Sequence, residues 1–181
     1  PFLSEPNIIS RPQYLEDLSR ERAIIGVTGT HGKTSTTALL SHIFHYNNRD
    51  VSYIYGGVTS FNGIGGHFGK NDEILILEAD EAFNTFRNIQ IQDLIVTNID
   101  EDHLDYYETY ENLLDAFKHV ISNAKGNIVL NFDNLELKKM KLDKNTFSYS
   151  TEKTSDFVLK DNQSIVYNSI EYQIETNMIG N

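Results

Sequence analysis

One stretch of the chain, residues 24–34 (IIGVTGTHGKT), constrains the fold more than any other. An apolar run leads there into a glycine-containing loop that ends in Gly-Lys-Thr. Glycines allow successive backbone N–H groups to turn towards an anion, and a following helix directs its positive N-terminus to the same point. Lys33 adds a compact charge, and the hydroxyl of Thr34 has the position of a ligand to nucleotide-bound Mg²⁺. The stretch therefore predicts a phosphate-binding loop between a strand and a helix.

The loop departs from the full pattern G-x-x-x-x-G-K-[ST], because Val27 stands where the first glycine belongs. The context supports the interpretation, since residues 23–28 have the composition of a buried strand. Apolar residues then recur at helical spacing after the loop, at Leu39, Leu40, Ile43 and Phe44. The alternative is a plain glycine turn with a solvated lysine. The predicted nucleotide-binding residues are Gly29, Thr30, His31, Gly32, Lys33, Thr34 and Ser35.

Composition limits the class of protein. The 181 residues, 39% of them hydrophobic, are enough for one domain that buries about 70% of its unfolded surface. No apolar run approaches the roughly 20 residues of a membrane span, and residues 1–22 do not resemble a signal peptide, so we expect a cytoplasmic protein. The absence of cysteine excludes a disulfide scaffold and thiolate chemistry. A net charge of −11 argues against a nucleic-acid partner.

The order of segments predicts a doubly wound, mostly parallel α/β sheet. Residues 12–22 read as a short helix after a linker. Further strands are expected at residues 51–55, 73–79, 93–99 and 127–132, with an amphipathic helix at residues 108–123 and a mobile glycine-rich loop at residues 56–69. From residue 145 the pattern changes to period-two alternation, which predicts a small antiparallel meander at residues 156–160, 164–167 and 171–175. Ligands of such sheets bind at the carboxyl ends of the strands.

Polar side chains follow two of the predicted central strands. Residues 78–81 (EADE) bring three carboxylates to the end of one strand, and Glu78 is the predicted partner of Thr34 in holding Mg²⁺, which prefers oxygen ligands. His103 follows the next strand and faces the same rim. Solvated acids and an ordinary hydrogen-bonded histidine are the alternatives at these positions.

Three separated motifs together resemble the central ATPase domain of the Mur ligases. They are residues 29–34 (GTHGKT), 78–81 (EADE) and 97–105 (TNIDEDHLD), and the resemblance runs from about residue 10 to the end. Within the family, His31 and residues 55–57 (YGG) and 110–113 (YENL) are most similar to the members that join L-alanine to UDP-N-acetylmuramate.

The resemblance implies an enzyme of peptidoglycan synthesis that uses ATP and Mg²⁺. In this family ATP phosphorylates a substrate carboxylate, and an amino group attacks the acyl phosphate to form an amide. Carried over to this chain, Lys33, Glu78 and His103 are the catalytic residues. Lys33 and the loop amides hold the β- and γ-phosphates, Thr34 and Glu78 hold one Mg²⁺, and His103 helps to hold a second.

The resemblance also implies partners and further domains. Residues 1–22 become the connection from an N-terminal domain that binds the UDP-sugar, and residues 23–181 become the central ATP-binding domain. A C-terminal domain would bind ATP and the amino acid, and Gly180 and Asn181 fall where the family motif G-x-H-N begins. The segment alone is expected to be inactive or nearly so.

Two residue differences bear on the substrate. Ala82-Phe83-Asn84 follows Glu81 where the alanine-adding members carry Ser-Asp, and Lys118 has the spacing at which other Mur ligases place a carbamylated lysine. A recycling ligase that attaches a tripeptide, or another amino-acid-adding member of the family, is therefore an open alternative. Outside the family, the alternatives are a P-loop nucleotide switch and a plain α/β binding domain.

Overall fold

The computed structural model describes residues 9–58, 63, 65–70, 73–140, 145–160 and 164–174. For residues 83–85 it describes the backbone alone. Within the described residues, ten strands form one sheet. They are β1 (Ala23–Thr28), β2 (Ser52–Ile54), β3 (Gly66–His67), β4 (Ile74–Glu78), β5 (Ile91–Val96), β6 (Ile128–Asn131), β7 (Thr146–Ser150), β8 (Phe157–Lys160), β9 (Ser164–Tyr167) and β10 (Ile170–Gln173). The helices are α1 (Arg11–Glu21), α2 (Lys33–Tyr46), α3 (Leu104–Tyr107), α4 (Tyr110–Asn123) and α5 (Leu135–Lys139), and a 3-10 helix spans Ala82–Asn88.

The sheet has the spatial order β10-β9-β8-β7-β6-β5-β1-β4-β2-β3. The seven central strands in this order, β8-β7-β6-β5-β1-β4-β2, pair in parallel. At the two edges of the sheet, β3, β9 and β10 pair antiparallel. The strand β1 lies between β4 and β5, so the carboxyl ends of these three strands meet at one rim. This arrangement confirms the predicted doubly wound, mostly parallel sheet.

Helices cover both faces of the sheet, because consecutive side chains of a buried strand point to opposite faces. On β4, Leu75 and Leu77 belong to the larger core, which α1, α4 and α5 complete. Ile76 belongs to a second core on the other face, where α2 packs through Leu40 and Phe44. The strand β4 therefore packs against helices on both faces of the sheet.

The inner face of α2 is formed by small hydroxyl residues. Thr37 and Ser41 are buried, and each donates its hydroxyl hydrogen to the carbonyl four residues earlier, at 2.8 Å. Leu39 and Ile43, which the apolar spacing placed on one stripe with Leu40 and Phe44, are each 49% exposed. The buried face of α2 is therefore shifted from its most apolar one.

Several predicted elements differ in extent from the observed ones. The strand expected at residues 93–99 begins and ends earlier, as Ile91–Val96, and the residues expected between two strands near 83–86 form the 3-10 helix. The C-terminal strands β8, β9 and β10 do form an antiparallel meander, but β7 and β8 attach it to the main sheet. Parts of the predicted glycine-rich loop (59–62 and 64) and residues 175–181 lie outside the described residues.

Among the described residues, none of the helices combines the length and the apolar composition that crossing a membrane requires.

Candidate functional site

The loop between β1 and α2 has the backbone shape that the sequence predicts. Gly29 and Gly32 have φ values of 132° and 83°, in the region that favours glycine. A side chain at Gly29 would overlap the hydroxyl of Thr97, so this position has both a conformational and a steric reason to be glycine. Gly32 is the N-cap of α2, and no side chain caps that helix end. The loop therefore presents a helix N-terminus suited to an anion.

Lys33 connects the loop to the acidic residues that follow β4. Its Nζ atom donates hydrogen bonds to the carbonyl oxygens of Gly29 and Thr30 at 2.8 and 3.2 Å, and to Glu81 Oε1 at 2.9 Å. Asp80 Oδ1 lies 3.7 Å away. The Lys33 ammonium is thus held at the junction of the loop and the β4 rim.

Glu81 is a buried acid, only 1% exposed. Burial raises the pKa of its carboxyl group above the ordinary value, and the hydrogen bond from Lys33 opposes that shift. Oε2 lies 2.9 Å from Lys33 Nζ, yet it accepts no hydrogen bond from the described residues. The backbone of Glu81 is fixed as well, since the buried hydroxyl of Tyr107 donates to its carbonyl oxygen at 2.6 Å.

Glu78 lies at the end of β4 and bridges two segments. Its Oε1 atom accepts a hydrogen bond from Thr34 Oγ1 at 2.7 Å, and its Oε2 atom accepts one from the backbone N–H of Gly56 at 2.6 Å. A Cβ atom added to Gly57 would stand 2.9 Å from Thr34 Cγ2. The segment after β2 is therefore packed directly on the start of α2, with Glu78 as the link.

His103 lies on the same rim, beside Glu81. Its Nε2 atom is 3.9 Å from Glu81 Oε1 and 4.0 Å from Asp102 Oδ2. The residue has a φ of 53° and precedes α3, whose far end is Glu108 with a φ of 67°. Ligand atoms of Asp80, Glu81 and His103 all lie within 4.8 Å of one another, a grouping that could hold a metal ion.

The donor set fits Mg²⁺ at two places. Adjacent ligands in an octahedron with Mg–O distances near 2.1 Å lie about 3 Å apart, and the oxygens of Thr34 and Glu78 are 2.7 Å apart. At the second place, the buried Glu81 Oε2 lacks a hydrogen-bond donor among the described residues and Asp80 offers another carboxylate. His103 adds a nitrogen, which Mg²⁺ accepts less readily than oxygen.

The structure brings the predicted residues together at one rim. Thr34 contacts Glu78, and its chain neighbour Lys33 contacts Glu81. His103 lies on the other side of this group, beside Glu81. His31 and Ser35 have exposed positions on the loop and the first turn of α2. Lys118, in contrast, pairs with Asp115 on the exposed side of α4 at 2.9 Å.

The sequence alone assigned no individual role to Asp80, Glu81 or Asn98, although all three lie at this site. Glu81 was one of three acids after a strand, and only its burial against Lys33 distinguishes it from Glu78. Asn98 accepts hydrogen bonds from the backbone N–H groups of Thr30 and His31, with its carbonyl and its side chain respectively. The available signal was that Asn98 belongs to the motif at residues 97–105 (TNIDEDHLD). The Ala82-Phe83-Asn84 difference falls in the 3-10 helix, where the side chains of 83–85 lie outside the described part.

The Mur ligase middle domain family matches residues 27–181 of this chain. UDP-N-acetylmuramate–L-alanine ligase of Hydrogenobaculum sp. (strain Y04AAS1) is 37% identical over 166 residues, which are 90% of this chain and 36% of that protein. The ligase of the same name from Ruthia magnifica subsp. Calyptogena magnifica is 41% identical over 111 residues, 61% of this chain and 24% of that protein. The chain thus spans about a third or less of the length of these curated relatives.

Solved structures share the fold. UDP-N-acetylmuramate:L-alanyl-gamma-D-glutamyl-meso-diaminopimelate ligase from Neisseria meningitides superposes with a TM-score of 0.80 at 19% identity, over 95% of this chain and 61% of that one. UDP-N-acetylmuramate–alanine ligase from Thermotoga maritima gives 0.74 at 22% identity, over 91% of this chain and 40% of that one. The match of the family model over most of the sequence identifies the chain as a member of the Mur ligase family, through its middle domain.

Proposed function

We propose that this chain is the ATP-binding domain of an ATP-dependent carboxylate–amine ligase of peptidoglycan precursor synthesis. The observation that carries the proposal is the contact of the Gly-Lys-Thr loop with two acidic positions, Lys33 with Glu81 and Thr34 with Glu78. A carboxylate and a triphosphate repel each other as they approach. A lysine and bound cations at one rim are what such a phosphoryl transfer requires.

Each residue at the rim has a role in this proposal. Lys33 and the backbone N–H groups from Gly32 to Ser35 hold the β- and γ-phosphates of ATP, and Gly29, Thr30 and His31 shape the loop that presents them. Thr34 and Glu78 hold one Mg²⁺, and His103 helps to hold a second beside Asp80 and Glu81. Bound Mg²⁺ supplies positive charge that neutralises the transferring phosphoryl group.

The proposed reaction has two steps, phosphoryl transfer and amide formation. A carboxylate oxygen of the substrate attacks the γ-phosphorus, the bond to the β-phosphate oxygen breaks, and ADP leaves. The amino group of the second substrate then attacks the carbonyl carbon of the acyl phosphate, phosphate leaves, and one proton is lost from nitrogen. Glu81 accepts a hydrogen bond from Lys33, so the ammonium is held at the rim where the phosphoryl group passes.

We further propose L-alanine and UDP-N-acetylmuramate as the substrates. Curated relatives at 33–41% identity carry the name UDP-N-acetylmuramate–L-alanine ligase, which supports this choice over a tripeptide. The chain covers a minor part of those relatives, so residues 23–181 would act as the central domain, with the UDP-sugar and the amino acid bound partly by other domains.

The test uses the full-length protein that carries this domain. Phosphate release from ATP is expected only when UDP-N-acetylmuramate and L-alanine are both present, and a mass spectrum is expected to show the amide product. Release that ignores the sugar nucleotide would contradict a ligase and favour a nucleotide switch. Faster turnover with L-alanyl-gamma-D-glutamyl-meso-diaminopimelate than with L-alanine would reassign the substrate.

Two variants test whether turnover depends on Lys33. Lys33→Ala removes charge-assisted contacts worth about 1.5–3 kcal/mol each, so turnover is expected to fall severely. Lys139→Ala is the matched control, because Lys139 is an exposed lysine that pairs with Glu136 on its own helix. Equal turnover of the two variants would refute the role of Lys33.

A further inference from the structure

The peptide groups of His31 are held on both sides by one side chain. The backbone N–H of His31 donates to Asn98 Oδ1 at 2.7 Å, and Asn98 Nδ2 donates to the carbonyl oxygen of His31 at 3.0 Å. A side-chain amide has one donor end and one acceptor end, so it can satisfy both groups of a residue as a neighbouring strand would. Asn98 lies two residues beyond the end of β5.

The surrounding contacts hold the same part of the loop. Thr97 Oγ1 donates to the carbonyl oxygen of His31 at 2.6 Å, and the backbone N–H of Thr30 donates to the carbonyl oxygen of Asn98 at 3.1 Å. The hydroxyl of Thr30 accepts from the backbone N–H of Asp100 at 2.9 Å. The loop is therefore shaped from outside by residues 97–100, and its glycines only permit that shape.

These bonds also divide the loop into two parts. The N–H groups of Thr30 and His31 are used inside the protein, whereas the end of α2 from Gly32 onwards has no side-chain cap. The N–H groups that a phosphate can reach belong to the second part. The direction of these N–H groups depends on where the peptides of Thr30 and His31 are held.

We propose that Asn98 is a positioning residue of the nucleotide site, which fixes the peptide of His31 so that the N–H groups from Gly32 onwards point at the phosphates. The inference rests on the nucleotide-binding part of the proposed function. Asparagine suits this position because aspartate would keep the acceptor for the His31 N–H, lose the donor, and add negative charge near a bound triphosphate.

The first measurement is calorimetric binding of MgADP to the full-length protein. Asn98→Ala loses both bonds to His31, and the affinity is expected to fall roughly 10- to 100-fold. Asn123→Ala is the matched control, because Asn123 Nδ2 donates to the carbonyl oxygen of His119 at 2.8 Å within its own helix, α4. Its affinity is expected to change less than about threefold.

The second measurement is hydrogen exchange of the His31 amide without nucleotide. Asn98→Ala is expected to accelerate this exchange about tenfold, whereas Asn98→Asp retains the acceptor and is expected to keep the protection while it weakens MgADP binding. Circular dichroism checks that both variants fold. If Asn98→Ala is unfolded, Asn98→Asp replaces it in the binding measurement.

The outcomes separate this inference from the proposed reaction. Unchanged MgADP affinity in Asn98→Ala, or in Asn98→Asp if the alanine variant is unfolded, overturns the role of Asn98 even if the enzyme is a ligase. MgADP binding without an amide product rejects the ligase reaction but leaves the role of Asn98 measurable. No binding by the unaltered protein overturns both.

Discussion

Lys33 Nζ lies 2.9 Å from each carboxylate oxygen of Glu81, a side chain that is almost completely buried. The pair joins the phosphate-binding loop to the end of β4 and places a fixed ammonium at the rim. Because Lys33 itself is only 12% exposed, the ion pair is largely removed from water and each member depends on the other.

Removing Lys33 is expected to destabilise the domain as well as the reaction. Lys33→Ala leaves the Glu81 carboxylate buried without its cation, which costs on the order of 3 kcal/mol. Adding Glu81→Gln to that variant is expected to recover part of the loss, because the buried charge is gone. Urea denaturation of the two single variants and the double variant measures the coupling, and additivity within about 0.5 kcal/mol would contradict it.

The hydroxyl of Tyr107 is expected to stabilise the Glu81 backbone. Tyr107→Phe keeps the buried ring but removes the 2.6 Å hydrogen bond to the Glu81 carbonyl, at a cost of about 1–3 kcal/mol. Tyr46→Phe is the control, since Tyr46 is 79% exposed and its change is expected to stay within about 0.5 kcal/mol. Equal unfolding midpoints for both variants would show that the bond contributes nothing.

A methyl group at Gly65 is expected to displace the segment that packs on Thr34. A Cβ atom there would overlap the carbonyl oxygens of Gly57 and Tyr55, so Gly65→Ala is expected to cost about 1–3 kcal/mol of unfolding free energy. At the neighbouring Gly66 the nearest atom would be 4.0 Å away. Gly66→Ala is thus the matched control, and a larger effect there than at Gly65 would contradict the packing described.

The stability contributed by Asp156 is expected to depend on pH. Hydrogen bonds from the hydroxyl and the backbone N–H of Ser148, both 2.7 Å, lower the pKa of Asp156 below the ordinary value of 3.8. A lowered pKa in the folded state means that the contribution is complete above 3.8 and disappears as the pH falls through the folded value.

Asp156→Asn provides the measurement. The difference in unfolding free energy between the wild-type protein and this variant is expected to be constant near neutral pH. It is expected to shrink as the pH falls below 3.8 and through the lower pKa of the folded state. Urea titrations at a series of pH values follow that difference, and the same value at every pH would rule out the linkage.

The long elements could be predicted from the sequence because their hydrophobic periods are clear. The β1 strand has the predicted bounds, and α4 differs only at its start. The short elements α3 and α5 and the 3-10 helix were not predicted, because four to seven residues carry too little periodicity and depend on tertiary packing. The exposure of Leu39 likewise reflects which face of α2 packs on the sheet, and apolar spacing alone does not determine that face.

The sequence by itself determined the loop, its lysine, and the acidic and histidine positions at the ends of parallel strands, since the topology of such a sheet brings strand ends together. It singled out Glu78 as the partner of Thr34 but did not distinguish Asp80 from Glu81, which are neighbours in the chain. Only the tertiary structure decided that Glu81 is buried against Lys33, that Glu78 joins Thr34 to Gly56, and that Asn98 holds the loop. The physical reason is that burial and hydrogen-bond partners depend on residues 20 to 70 positions away, which pack against the site only in the folded chain.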